Sequence, residues 1–153
     1  MKTNYNLIHA QLRALAEEEK WYLPLMANAS AVLYDALDEL NWAGFYLLRG
    51  GRLVLGPFQG KPACIHIEPG RGVCGTALRE DRTVLVPNVH EFPGHIACDS
   101  ASNSEIVIPI HALGRAVAVM DIDSPRLNRF SEADREGLEA LARMLEETIQ
   151  FDL

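Results

Sequence analysis

Apolar positions recur along this chain with two different periods, and the changes of period mark out its elements. From residue 5 to 19, Ile8, Leu12 and Leu15 fall three or four residues apart ahead of a Glu-rich end, the spacing of an amphipathic helix. A second helical stretch runs from Leu25 to Leu40, with Ala29, Val32, Leu33, Ala36, Leu37 and Leu40 on one stripe. Pro24 falls in its first turn, where a missing N–H costs nothing. Trp42 to Leu48 then reads as a strand, Arg49-Gly50-Gly51-Arg52 as a hairpin turn and Leu53 to Phe58 as the returning strand. Gly56 to Pro62 is rich in turn formers, and Cys64 to Glu68 alternates as a short strand. Beyond the loop Pro69 to Gly72, Val73 to Leu78 enters a short helix, and Thr83 to Val86 is a brief strand. Pro87 to Ser104 is a long loop, a length that in a compact domain usually serves function. Apolar runs at 106–110 and 116–120 flank a second turn, and a final helix follows Ser131. That serine forms a plausible capping box with Asp134, ahead of the stripe Leu138, Leu141, Ala142 and Leu145. Helices packed at both chain ends on a central antiparallel sheet predict an α+β fold, one domain over residues 1–153.

The second hairpin decides where the acids go. Glu105 opens its first strand, and Asp121 and Asp123 end its second. A turn centred on Leu113 would set Glu105 opposite Asp121, and one centred on Gly114 would set it opposite Asp123. A two-residue loop at Leu113-Gly114 would send Glu105 to the far face, because side chains alternate along a strand. Gathering the three carboxyls on one face therefore requires an odd loop or a bulge.

Composition narrows the field. The 153 residues are 48% hydrophobic, enough to enclose a core and a small-molecule pocket. Apolar runs fall well short of the roughly 20 residues that a bilayer span needs, and the N-terminal stretch has no signal-peptide core, so a cytoplasmic protein without membrane attachment is expected. A net charge of −7 without a Lys/Arg cluster excludes a phosphate backbone as partner, hence nucleic acid. Three cysteines, an odd number, do not make a structural disulfide framework. No cofactor motif stands out: the Gly-rich loop before Val73 lacks both the P-loop lysine and the dinucleotide pattern.

Candidate chemistry lies in a few places. Cys64, Cys74 and Cys98 are separated by 10 and 24 residues with no C-x-x-C knuckle, which argues against a cysteine-built zinc site. They are buried spectators or working thiols. Cys98 sits in the polar stretch Asp99-Ser100-Ala101-Ser102-Asn103-Ser104, where a thiol is accessible, and other cysteines able to reach it would suit sulfenic-acid and disulfide chemistry. Cys74 lies near a helix N-terminus, whose dipole favours thiolate. Glu105, Asp121 and Asp123 are ordinary strand-end acids or, if they converge, a cluster in which at least one pKa must rise, leaving a proton donor at neutral pH. Trp42 and Tyr46 flank Gly44 on one strand face, either as core aromatics or as the walls of a slot. His66, His90, His95 and His111 are acid/base candidates that spacing does not separate.

The chain resembles the free methionine-(R)-sulfoxide reductases, which are single GAF domains. The resemblance runs through almost the whole chain and is densest from Leu40 to Asp123. It is carried by the NWAGFY strand, by PACIHIEPGRGVCGTA with Cys64 and Cys74, by VPNVHEFPGHIACDSASNSEIVIPI with Cys98 and Glu105, and by VAVMDIDSP with Asp121 and Asp123. It implies a GAF-like sheet with Cys98 as nucleophile, Cys64 resolving it as a disulfide and Cys74 as an auxiliary resolving thiol. Trp42 and Tyr46 would line the substrate pocket, and Glu105, Asp121 and Asp123 would bind and protonate substrate. It also implies R-selectivity for the free amino acid, thioredoxin as reductant and a homodimer. The alternative is a non-catalytic GAF ligand-binding module whose cysteines are incidental.

Overall fold

A computed structural model describes residues 2–96, 98 and 100–151. Of the polar stretch around Cys98, Ala97 and Asp99 lie outside the described residues. Helices α1 (Tyr5–Glu18) and α2 (Tyr22–Ala36) precede strands β1 (Trp42–Arg49), β2 (Arg52–Gly60) and β3 (His66–Ile67). Helix α3 (Gly72–Glu80), β4 (Val84–Val86), the hairpin of β5 (Ser104–Ala112) and β6 (Arg115–Ser124), and α4 (Glu132–Thr148) follow. The strands form one antiparallel sheet in the order β3-β2-β1-β6-β5-β4. The expected α+β architecture, with helices at both ends against a central antiparallel sheet, is what the chain adopts.

Alternation along β1, β5 and β6 divides the protein into two layers. Ala43, Phe45, Leu47, Ile106, Ile108, Ile110, Ala118, Met120 and Ile122 point to one side, where α1, α2 and α4 bury them. Trp42, Tyr46, Val107 and Val119 point to the other, against Val73, Cys74 and Ala77 of α3. Ser131 and Asp134 form the expected capping box at the start of α4, and the stripe of Leu138, Leu141, Ala142 and Leu145 is buried.

Four local expectations change. Helix α2 stops at Ala36 rather than Leu40, because Leu37 turns extended (φ −93°, ψ 126°) and tertiary partners hold the segment that follows. The Ser124 hydroxyl donates to Glu39 O, the Arg129 guanidinium donates to Asp38 O, and Glu39 turns left-handed at φ 60°. Strand β2 continues through the supposed turn region to Gly60, with Gly56 and Pro57 at a bulge opposite Phe45, where a residue without an N–H is tolerated. The strand at Cys64–Glu68 shrinks to His66–Ile67, leaving Cys64 in the loop before it. The slot over Gly44 is filled: Phe58 packs so closely that a Cβ at Gly44 would lie 2.4 Å from the Phe58 Cβ, and the Phe58 ring stacks on Trp42 at 5.2 Å.

Candidate active site

The carboxyl cluster depends on one extra residue. The β5–β6 turn is the two-residue loop Leu113-Gly114, both residues at positive φ (55° and 77°), as primed hairpin turns require. Alone, that turn would put Glu105 on the wrong face. A bulge resets the register: His111 pairs with Ala116 but Ile110 pairs with Ala118, so Val117 is the additional residue. Beyond it Glu105 stands opposite Asp123, and Val107 opposite Asp121. On the other flank of β6, Trp42 pairs with Asp123 and Gly44 with Asp121. Directly paired residues share a face, so the three acids, Trp42 and Tyr46 all look toward α3.

One cavity collects these groups. Trp42, Tyr46, Cys74, Cys98, Glu105, Asp121 and Asp123 all line it, with His95 and Ser102 from the long loop and Arg71 and Gly72 at the start of α3. Its volume is about 40 Å³, room for about three waters. Cys64 and Cys98 are joined as a disulfide, with Cα atoms 5.5 Å apart, and both residues are partly buried. The Tyr46 hydroxyl donates to the Cys64 carbonyl at 3.0 Å and the Trp42 indole donates to Lys61 O at 3.2 Å, so the β1 aromatics fix the segment that carries Cys64. Their rings stack at 5.9 Å. Beside the disulfide the chain surfaces, with Ile65 62% exposed.

Electrostatics separate the members. Glu105 and Asp121 are buried. Burial, then the charges of Asp121 and Asp123, raises the Glu105 pKa well above the usual carboxylate range. Burial also raises Asp121, opposed by hydrogen bonding from Glu105, Cys74 and Asp123 and by the positive potential of His95. The convergence holds a proton, as buried carboxyls in contact must. Cys74 corrects an expectation. Although it stands in the first turn of α3, burial and the charges of Asp121 and Glu105 push its pKa up, so the thiol stays protonated; desolvation beside two acids outweighs the helix dipole.

His95 is the member that sequence reasoning left undistinguished among four histidines. Its Nε2 lies 3.9 Å from Glu105 Oε1, and burial lowers its pKa. His111 belongs elsewhere, held between Asp81 and Glu146. His90 contacts Asn103, and His66 is exposed. Ser102 went unremarked as a lining residue; its hydroxyl accepts from the Asn41 side chain at 2.9 Å.

This arrangement sets a disulfide-bonded cysteine pair beside a buried, proton-holding carboxyl cluster with aromatic walls. The family model for the GAF domain matches residues 29–150. The chain is similar to the free methionine-R-sulfoxide reductase of Escherichia coli, 48% identical over 145 residues that cover 95% of this chain and 88% of that protein. The reduced form of fRMsr from Staphylococcus aureus superposes with a TM-score of 0.94 at 50% identity, covering 97% of each chain. The free methionine-R-sulfoxide reductase of Neisseria meningitidis in complex with its substrate superposes at 0.91 with 42% identity, covering 94% of this chain and 87% of that one.

Proposed function

This chain belongs to the free methionine-R-sulfoxide reductases, a family built on the GAF domain, and from that premise we propose how its site reduces free methionine-R-sulfoxide to methionine. The observation that carries the reading is the Cys64–Cys98 disulfide next to the cavity that Glu105, Asp121 and Asp123 share.

A sulfoxide sulfur becomes electrophilic when its oxygen is protonated, and a carboxyl of the cluster that keeps its proton near neutrality supplies it. The Cys98 thiolate attacks that sulfur to form an S–S bond while the protonated oxygen leaves as water. A water then attacks Cys98 Sγ, the S–S bond breaks, methionine leaves with its electron pair, and Cys98 is left as a sulfenic acid. The Cys64 thiol displaces the sulfenic oxygen as water, forming the disulfide. The remaining carboxylates pair with the substrate ammonium, and Trp42 and Tyr46 wall the methyl end. Cys74 is the auxiliary thiol in this scheme, kept protonated by its surroundings. Thioredoxin, a dithiol protein, resets the disulfide; the exposed Ile65 and His66 beside Cys64 support an approach from that side. A second copy of the chain is the partner we propose for the apolar side chains left exposed along the first two helices, Leu7, Leu23 and Tyr34. No helix among the described residues is long and apolar enough to cross a membrane, and we place the enzyme in the cytoplasm.

The test is turnover of free methionine-R-sulfoxide with dithiothreitol and with thioredoxin, against the S epimer and against methionine sulfoxide inside a short peptide. Activity confined to the free R epimer is expected. Comparable kcat/KM on the peptide would rule out an enclosed pocket. Cys64→Ser should lose most thioredoxin-linked turnover yet keep a single-turnover burst of methionine; loss of the burst as well would place Cys64 in the chemical step.

A further inference from the structure

The same cavity holds a second set of donors, with a different chemistry. One ligand atom each from Cys74, Glu105 and Asp121 lie within 4.8 Å of one another, and all three residues are buried. Asp121 is only 5% exposed, lines the cavity, and its Oδ1 has no hydrogen-bond partner among the described residues. His95 Nε2 stands 3.9 Å from Glu105 Oε1, and among the described residues no Lys or Arg pairs with Glu105 or Asp121. The proton that the cluster holds and the hydrogen bonds to Asp121 from Glu105 and Cys74 leave this one buried acceptor atom, Oδ1, unsatisfied, which is costly unless a ligand joins it.

We propose that Cys74, Glu105 and Asp121 form a binding site for a thiophilic divalent cation of the zinc type, with a water in the fourth position. A thiolate, two carboxylates and a water match the four-coordinate sets in which zinc keeps three protein ligands, and the thiolate disfavours magnesium and calcium, which take oxygen ligands. The ligand set differs from the all-cysteine site that spacing argues against, because strand register and helix packing supply it rather than a local motif. A cavity of about 40 Å³ accommodates an ion with a water. On coordination the Cys74 S–H proton and the proton held by the carboxyl cluster both pass to water. Resting on the proposed function, the consequence is competition: the ion takes the acids that substrate needs, so free zinc would hold the reductase idle.

The disulfide form isolates the site. With Cys64 and Cys98 joined, Cys74 is the single free thiol of a chain with three cysteines. Titrating that form with Co²⁺ should give one equivalent of binding and a near-ultraviolet thiolate-to-cobalt charge-transfer band, both displaced by Zn²⁺ and neither by Mg²⁺. Cys74→Ala should abolish the band, and Glu105→Gln should weaken binding by on the order of 10-fold or more, with circular dichroism checking that each variant is folded. Absence of the band, a band indifferent to Glu105→Gln, or full binding by Cys74→Ala overturns the site. These measurements need no turnover, so they stand apart from the reductase reading. In the reduced enzyme, apparent KM should rise in proportion to free Zn²⁺, and the proportionality should vanish in Cys74→Ala. Equal inhibition of that variant would assign the effect to the other thiols and overturn the competition.

Discussion

The two faces of the sheet use the same three strands for opposite ends. Toward α1, α2 and α4, β1, β5 and β6 present an unbroken apolar surface. Toward α3 they present Trp42, Tyr46, Val107 and Val119 together with Glu105, Asp121 and Asp123. One face is a core that tolerates no polar atom without a partner; the other puts buried carboxyls in contact. Stability on the first face therefore supports electrostatic frustration on the second, which chemistry needs and folding alone would not select.

Breaking the comparison begins on the chemical face. Cys98→Ser should lower reduction of free methionine sulfoxide by at least on the order of 10³-fold, while the thermal midpoint of the thiol-reduced protein stays close to that of the reduced parent. Retention of more than a few per cent of the rate, with any reductant, would put the nucleophile elsewhere. The mirror experiment is Phe45→Ala on the apolar face, where Phe45 is fully buried. It should cost about 3–5 kcal/mol in denaturant unfolding, with kcat of the folded fraction unchanged; a lost kcat at full folding would show the faces to be coupled.

Next in size is Glu105→Gln, expected to lower kcat by on the order of 10²-fold. The pH profile sharpens the point. The acid must be protonated to donate, so the rate falls as pH rises through the raised pKa of the cluster. Asp121→Asn removes a negative charge that holds the Glu105 pKa up, so the alkaline limb should move to lower pH. Should amide variants at Glu105, Asp121 and Asp123 each leave rate and profile unchanged, the proton comes from a histidine or from water.

The smallest expected effect lies outside both faces. His111 is partly desolvated, which lowers its pKa, but hydrogen bonds to Asp81 and Glu146, and their charges, outweigh this and raise it. Arg143 also contacts Glu146, at 3.0 Å. A raised histidine pKa contributes stability that is fully present below about pH 6.5 and lost as pH rises through the folded value. His111→Gln should therefore lower the thermal midpoint at pH 6 and have less effect at pH 9. An equal deficit at both would mean that packing, not charge, accounts for it.

Periodicity and turn chemistry made much of the fold legible: the hairpins at Gly50-Gly51 and Leu113-Gly114, the capping box at Ser131 and the stripes of α1 and α4 follow local rules. The candidate residues were legible by type and, through family resemblance, by position. What local rules miss is whatever a distant partner decides. The Val117 bulge leaves no signal in the apolar pattern, so three registers for Glu105 stayed open. Cys74 reads as a thiolate at a helix start until the carboxyls of a strand far along the chain arrive beside it. Phe58 closing over Gly44, and the hydrogen bonds that hold the non-helical segment after α2, are likewise contacts between remote segments. His95 could not be told from three other histidines, because its distance to Glu105 is set by the course of the long loop.

The Val117 bulge also divides its hairpin into two stretches with unequal freedom. On the site side, from Ala118 to Asp123, one added residue would rotate the following acids out of the cavity. On the tip side, Leu113 is 91% exposed and the loop carries no group of the site. Extra residues between Leu113 and Gly114 would lengthen the loop and leave Glu105 opposite Asp123. The tip is thus a natural attachment point for a peptide tag or a tethered reporter, within the same hairpin whose base admits no change of length.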